Sequence, residues 1–368
     1  MAGNENAAES AETADADADA TADAESSSEL VEAQRPPRDQ SIDVLKGIGI
    51  ILIVLGHLDA TQVGGSFITY LYTFHVAIFF VVAGYTWREK AGVSFLSVVV
   101  TKFRQIYVPY LVLFTISMLF GHLVMRFVFR QYVIPFELVP TLKAMVFSSE
   151  WLNYVPSFNF ALWFLPIFFV ASVAFQLLQK VRNIWVYLSV VVALAAVSIP
   201  FQELVPGRPV IAINVLPVAL VFMALGYLIK RYIPVARITF FIALPVLAVS
   251  LLLAFYFPGN VAAIGSYWYF PGAIASILLY MKLAQDLSSS NFLAFIGKNS
   301  LIVFGIHGLV AATYPFARIH STFYTGWDGF MLYLISAAYV ILGSVVIVKV
   351  YRLVRRRIDR WRLERAPA

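Results

Sequence analysis

Apolar stretches of bilayer length recur along almost the whole chain, and no other feature limits its fold so severely. They lie at about 42–59, 67–87, 106–128, 159–179, 183–199, 209–230, 237–257, 266–285, 299–317 and 330–352. Each is close to the roughly 17 to 25 residues a helix needs to cross hydrocarbon. In lipid the backbone has no water to bond, so a spanning segment must satisfy its own N–H and C=O groups as helix. The expected fold is therefore all-α, a polytopic membrane protein built as a bundle of about ten transmembrane helices. Composition agrees. The chain is 60% apolar and only 13% charged, whereas a soluble domain is about half apolar and a quarter charged. That leaves no room for a large soluble domain. The absence of cysteine removes disulfides, thiolate metal sites and a thiol nucleophile together.

Charge is distributed unevenly. Residues 1–38 read as a disordered acidic tail: within 1–34 lie ten of the chain's 21 acidic residues and no basic or aromatic one, a composition that cannot bury a core. No basic segment followed by an apolar run opens the chain, so it does not read as a secretory signal peptide. The rest is strongly positive, in alternate loops. Arg35, Arg38 and Lys46 flank the first span. Arg88, Lys90, Lys102 and Arg104, then Lys180 and Arg182, then Lys230, Arg231 and Arg237, then Lys298 fall on the same side. The opposite loops carry only Arg130, Lys143, Arg208 and Arg318. Lys and Arg mark cytoplasmic loops, so both termini are expected in the cytoplasm. The positive excess signals topology rather than nucleic-acid binding. The transmembrane domain is then 39–353, and 354–368 is a basic cytoplasmic tail suited to anionic lipid.

Ionisable residues inside such spans are costly and by default mark a functional site. Residues 41–90 hold the clearest cases. His57 closes the first span, His75 sits near the middle of the second, and Lys46 enters the first span eleven residues before His57. Eleven helical residues make three turns plus about 20° and rise about 16 Å. Lys46 and His57 therefore share one face, the cation low and the imidazole high. The plainer readings are an anchoring lysine paired with Asp43 and an interfacial histidine. No G-x-S-x-G elbow, Walker loop or H-E-x-x-H stands in the chain, and the five histidines are too scattered to suggest a metal site.

Several blocks in order carry a family resemblance. They are Asp43-Val44-Leu45-Lys46-Gly47 leading to Gly56-His57; Phe74-His75 and Phe79-Phe80 leading to Gly84-Tyr85; Lys102 and Arg104 ahead of Val108-Pro109-Tyr110; Leu162-Trp163-Phe164-Leu165-Pro166; and Gly297-Lys298-Asn299-Ser300-Leu301 ahead of His307. Together they resemble the membrane acyltransferase-3 family, nearest the fucose 4-O-acetylase-like and exopolysaccharide O-acetylase branch. The family's central motif, a basic residue, ten residues, then His, falls on Lys46 and His57. Many members have Arg at the first position. The second-helix motif, often Phe-His-Met-Pro, here reads Phe74-His75-Val76-Ala77 without the proline.

The resemblance implies transfer of an acyl group, acetyl in most members, from cytoplasmic acyl-CoA to a hydroxyl of an envelope glycan or lipid-linked sugar at the outer face. No cofactor is bound permanently; the acyl-CoA is a co-substrate. It implies a cell-membrane location, a carbohydrate acceptor and contact with glycan-assembly machinery. His57 becomes the general base, with His75 beside it, because a neutral imidazole can take the hydroxyl proton as the alcohol attacks. Lys46, Lys102 and Arg104 supply cations for the CoA phosphates. Trp163, Trp151 and His307 are candidates for binding the acceptor, although interfacial aromatics and bundle histidines are common. His122 and His320 have no motif around them. The rival class is a polysaccharide or small-solute transporter with the histidines as proton or substrate sites. The spans contain almost no Asp or Glu beyond Asp43 and show no strong repeat, unlike a proton-coupled carrier.

Overall fold

A computed structural model describes residues 39–58, 65–89, 92–128, 137–148, 159–237, 240–314 and 327–364. Fourteen α-helices dominate these residues. The first four are α1 (Gln40–His57), α2 (Gly65–Phe74), α3 (Ala77–Tyr85) and α4 (Phe95–Lys102). Then come α5 (Val108–Leu119), α6 (Leu138–Phe147), α7 (Phe164–Leu178), α8 (Ile184–Leu204) and α9 (Leu216–Tyr232). The series ends with α10 (Phe240–Tyr256), α11 (Tyr269–Asp286), α12 (Asn291–Lys298), α13 (Ser300–Ala312) and α14 (Trp327–Glu364). The only sheet among the described residues is a two-residue hairpin, Gly259–Asn260 with Ala263–Ile264.

Seven helical stretches in the described residues are long and apolar enough to cross a membrane. The pair α12 and α13 makes an eighth if its 87° bend is counted within one span. The protein is therefore a multi-pass helical membrane protein. Each expected span overlaps a helix, but three are unlike the simple rods the hydropathy pattern suggested. The segment near 237–257 is a 17-residue helix, that near 266–285 begins only at Tyr269, and that near 299–317 is the bent pair's 13-residue arm. The outward faces fit the same conclusion. Trp185, Val192 and Leu204 on α8 and Phe241 on α10 are all more than two-thirds exposed. In water such a surface would be a liability; against acyl chains it costs nothing.

Proline positions explain local departures. Pro109 cannot donate to the preceding turn, and the chain widens there into a π-turn over Phe103–Tyr107 that keeps α4 and α5 in one continuous helical stretch. Pro200 does not end α8, which runs on to Leu204. Pro271 sits in the first turn of α11, where its missing N–H removes no helical bond. The second span breaks without a proline: α2 stops at Phe74 and α3 starts at Ala77, with His75 in the gap. The last helix has 38 residues, about 57 Å, so it outruns a hydrocarbon core of about 30 Å. Its end carries Arg352, Arg355, Arg356, Arg357 and Arg360.

Two pairs of glycines hold the helices that carry the candidate residues. Gly47 of α1 lies against the Leu293 carbonyl, and Gly297 of α12 against the Asp43 carbonyl. Likewise Gly84 of α3 abuts Met223, and Gly226 of α9 abuts the Val81 carbonyl. At each, a Cβ would overlap backbone. Small residues at crossings let helix backbones touch where no hydrophobic effect drives association. By contrast Gly49 faces side chains, the Phe79 ring at 3.1 Å and Ile78 at 3.5 Å from where a Cβ would be. Gly297→Ala and Gly84→Ala should therefore cost about 1–3 kcal/mol through forced helix separation, and Gly49→Ala less. Apparent Tm in detergent micelles, read for the three variants, checks the order; a Gly49 variant as damaged as the others would contradict it.

Candidate active site

Three histidines from distant parts of the chain meet at the end of α1. The α1 carbonyls there have no helical partners, and two tyrosines supply them. Tyr72 donates to the Gly56 carbonyl (3.0 Å) and Tyr333 of α14 to the Leu55 carbonyl (2.7 Å). With its last turn so tied, His57 projects from a fixed position. Its ring is within 14° of parallel to that of His307, 5.3 Å between centroids, and its Nδ1 lies 3.0 Å from His307 Nε2. His75 stands edge-on at 6.4 Å and Tyr72 at 6.4 Å. His75 and His307 are buried, and His57 as a residue is more exposed than either.

Hydrogen bonding fixes the tautomers of this group in its neutral form. His307 Nδ1 lies 2.6 Å from the Phe304 carbonyl, which can only accept. The proton is therefore on His307 Nδ1, and its Nε2 is a lone pair. His57 Nδ1 must then donate to it, and in the neutral cluster His57 Nε2 is left as a lone pair. A buried carbonyl thus sets, through one imidazole, the basic nitrogen of another. His75 Nδ1 donates to the Leu71 carbonyl (2.6 Å) in the same way, so its Nε2 is also an acceptor.

Asn159 steadies the His307 turn. It is buried, and its amide donates to the Gly305 carbonyl (2.8 Å) and, at 3.3 Å, to the Phe304 carbonyl. Its Oδ1 accepts from the Ala161 N–H at 3.2 Å. Gly308 lets this side chain approach α13, since a Cβ there would stand 3.2 Å from it. Four residues along the same entry to α7, Trp163 lies under Arg208, whose guanidinium carbon is 5.5 Å from the ring centroid. Arg208 stands between α8 and α9 and is half-buried. Burial draws its guanidinium below its ordinary value, though an arginine remains charged.

From the Lys46 end of α1 a cavity of about 800 Å³ runs into the bundle. Lys46, Arg88, Lys102, Lys180 and Arg182 line its outer part, with Thr86, Thr101, Gln105 and Gln176. Lys46 pairs with the buried Asp43 carboxylate at 2.8 Å. Arg182 makes a two-pronged contact with Glu89 at 2.7 and 3.2 Å, which holds the Glu89 carboxyl below its usual range. Deeper, the wall is apolar: Ile50, Phe79, Phe164 and Phe304. Phe304 is the residue whose carbonyl holds His307, so the inner wall lies one helical turn from the imidazole cluster.

The residues singled out from sequence distribute as follows. His57, His75 and His307 come together. Lys46 and Lys102 share the cavity wall, while Arg104 is exposed on the π-turn and does not line it. Trp163 sits beside Arg208. Trp151 and His320 lie outside the described residues. His122 bonds its own helix at Met118 (3.0 Å). Among the described residues no group of three His, Cys, Asp or Glu could hold a metal ion. Sequence reasoning missed Asn159, Tyr333 and Arg208. Arg208 alone had a signal, as a cation against the positive-inside bias.

No curated protein matches the chain. The model of the acyltransferase domain, in its acyltransferase-3 form, matches residues 39–349, a range that includes all three clustered histidines, the cavity wall and both glycine crossings. The chain therefore belongs to the acyltransferase-3 family of membrane acyltransferases.

Proposed function

We propose that the protein is an O-acyltransferase of the cell membrane. It moves an acyl group, acetyl in the simplest case, from cytoplasmic acyl-CoA to a hydroxyl of an envelope glycan or lipid-linked sugar. The observation that carries this is the row Phe304 carbonyl, His307, His57, whose 2.6 and 3.0 Å contacts leave Nε2 of a neutral His57 as a lone pair. The Lys46 end of the cavity faces the cytoplasm in this reading, as the loop charges favour, and both termini lie there. About ten passes then bring the outer end of α1 to the acceptor side.

The chemistry follows from the two ends. Lys46 and Lys102, with Arg88, Lys180 and Arg182 from the same wall, supply cations for the donor's phosphates. The narrow apolar depth past Ile50 and Phe304 suits a pantetheine arm and its acyl group. The acceptor oxygen attacks the thioester carbonyl carbon while His57 Nε2 takes its proton. The C–O bond forms, the C–S bond breaks, and the departing thiolate recovers the proton from the imidazolium. His307 accepts the Nδ1–H of His57 throughout, which steadies the ring as it becomes positive. His75, edge-on nearby, shapes the same chamber. Direct transfer is favoured because Nε2 is free to act as a base.

Three measurements test this. Envelope glycans from cells carrying His57→Ala should lose the ester-linked acyl groups found with the intact protein, a drop of about 10²–10⁴ in transfer rate, while the protein still inserts. Glycans that keep their esters yet fail to reach the surface would favour a carrier instead. His307→Ala should lower kcat about tenfold to a hundredfold with little change in KM for acetyl-CoA, because it removes the group that fixes the His57 tautomer; an effect confined to KM would count against the relay. Lys46→Ala should raise KM for acetyl-CoA about tenfold, and Arg104→Ala should change it less. Equal effects would mean that Lys46 serves only to orient the helix.

A further inference from the structure

The cavity follows one face of α1 and stops short of the histidines. Ile42, Lys46 and Ile50 of that helix line it; among the described residues the lining includes none of the three clustered imidazoles. His57 lies seven residues beyond Ile50, a further rise of about 10 Å. Three aromatic rings on the cavity wall fill that interval. Phe79 of α3 lies against Gly49 of α1, where a Cβ would stand 3.1 Å from the ring. Phe79 meets Phe164 of α7 at 6.1 Å between centroids, and Phe164 meets Phe304 of α13 at 5.7 Å. Phe304 in turn lies 5.8 Å from the His307 ring. The row crosses from α1 to the imidazole cluster, a partition with the cavity on one side and the histidines on the other.

The three rings differ in their freedom. Phe164 and Phe304 are buried. Phe164 is also packed on Phe80 at 5.2 Å and on Phe168 at 5.1 Å, and Phe304 belongs to the turn whose carbonyl bonds His307. Phe79 is only partly buried and borders the cavity. It stands in the first turn of α3, just past the helix break at His75. A ring beside open volume can change rotamer, whereas a ring packed on every side cannot. An acyl-CoA enters this cavity with its acyl group leading, so that group reaches the partition first. The thioester carbonyl comes to His57 only when the acyl group has entered the space that Phe79 gives up, and that space is one side chain in size.

We propose that Phe79 is the residue that sets the length of the acyl group transferred. Its ring closes the passage from the cavity to His57, gives way to a group as short as acetyl or propionyl, and excludes one as long as hexanoyl. This rests on the acyltransferase function proposed above and adds the size limit of the donor to it. In an apolar pocket of fixed volume each surplus methylene is worth about tenfold or more in discrimination.

Membrane vesicles containing the full-length protein, given acetyl-CoA or hexanoyl-CoA labelled in the acyl group, test this against vesicles without the protein as the blank. The readout is label released from the envelope fraction by mild alkali, taken as the ratio of hexanoyl to acetyl incorporation, because a folding fault lowers both together. The intact protein should give a ratio below about one-tenth. Phe79→Ala should raise the ratio about tenfold or more, and Phe79→Leu, intermediate in size, should fall between. A ratio unchanged in both variants, or an intact protein that uses the two donors equally, overturns the proposal. So does loss of transfer from both donors in both variants, since the ring would then serve packing alone. No protein-dependent label from either donor with the intact protein defeats the acyltransferase function itself, a separate failure.

Discussion

An imidazole inside a helical bundle has two nitrogens to satisfy and little water to do it with. In this protein the Phe304 carbonyl answers the first of these demands for His307, at 2.6 Å, and His57 answers the second, at 3.0 Å. The consequence is directional. Because a carbonyl accepts only, every proton downstream of it is assigned in the neutral cluster, and the last nitrogen in the row is a lone pair. The remaining elements of the site serve this row. Asn159 holds the turn that offers the carbonyl, and Tyr72 and Tyr333 hold the end of the helix that bears His57.

Helix contact is the second requirement, since the row joins residues 250 positions apart. In lipid, packing rather than the hydrophobic effect must bring helices together, and bare backbone surfaces do it best. The glycine crossings of α1 with α12 and of α3 with α9 do this for the helices on either side of the cavity. The 87° turn between α12 and α13 then redirects the chain. The arm that touches α1 through Gly297 leads directly into the arm that carries His307. A fixed crossing near Lys46 and a fixed imidazole near His57 are thus two ends of one structural unit.

Much of the site could be read residue by residue. Lys46 and His57 declared themselves by their cost in an apolar stretch, and the spacing put them on one helix. His75 declared itself in the same way, and the helix breaks at it although the chain lacks the proline that often follows. The partnership of His57 with His307 could not be read, because no local pattern states which distant helix will be the neighbour. Asn159 stood at the edge of an apolar span with no motif to mark it; its meaning comes from two carbonyls on α13. Arg208 looked like an exception to a charge rule, and only the structure sets it over the Trp163 ring. Arg104 and Lys102, alike in sequence, part company on a π-turn that puts one in the cavity wall and the other outside it.

The amino-acid sequence alone determined that this chain must be a helical membrane protein, because long apolar runs in lipid allow no other way to satisfy the backbone. It also determined where polar chemistry sits along each helix, because an ionisable group in hydrocarbon is too costly to be incidental. Tertiary structure alone decided which of those groups meet and which nitrogen of each imidazole has a carbonyl to bond. Those depend on contacts between helices remote in the chain, and such contacts are set by the shapes of two surfaces together, never by one segment.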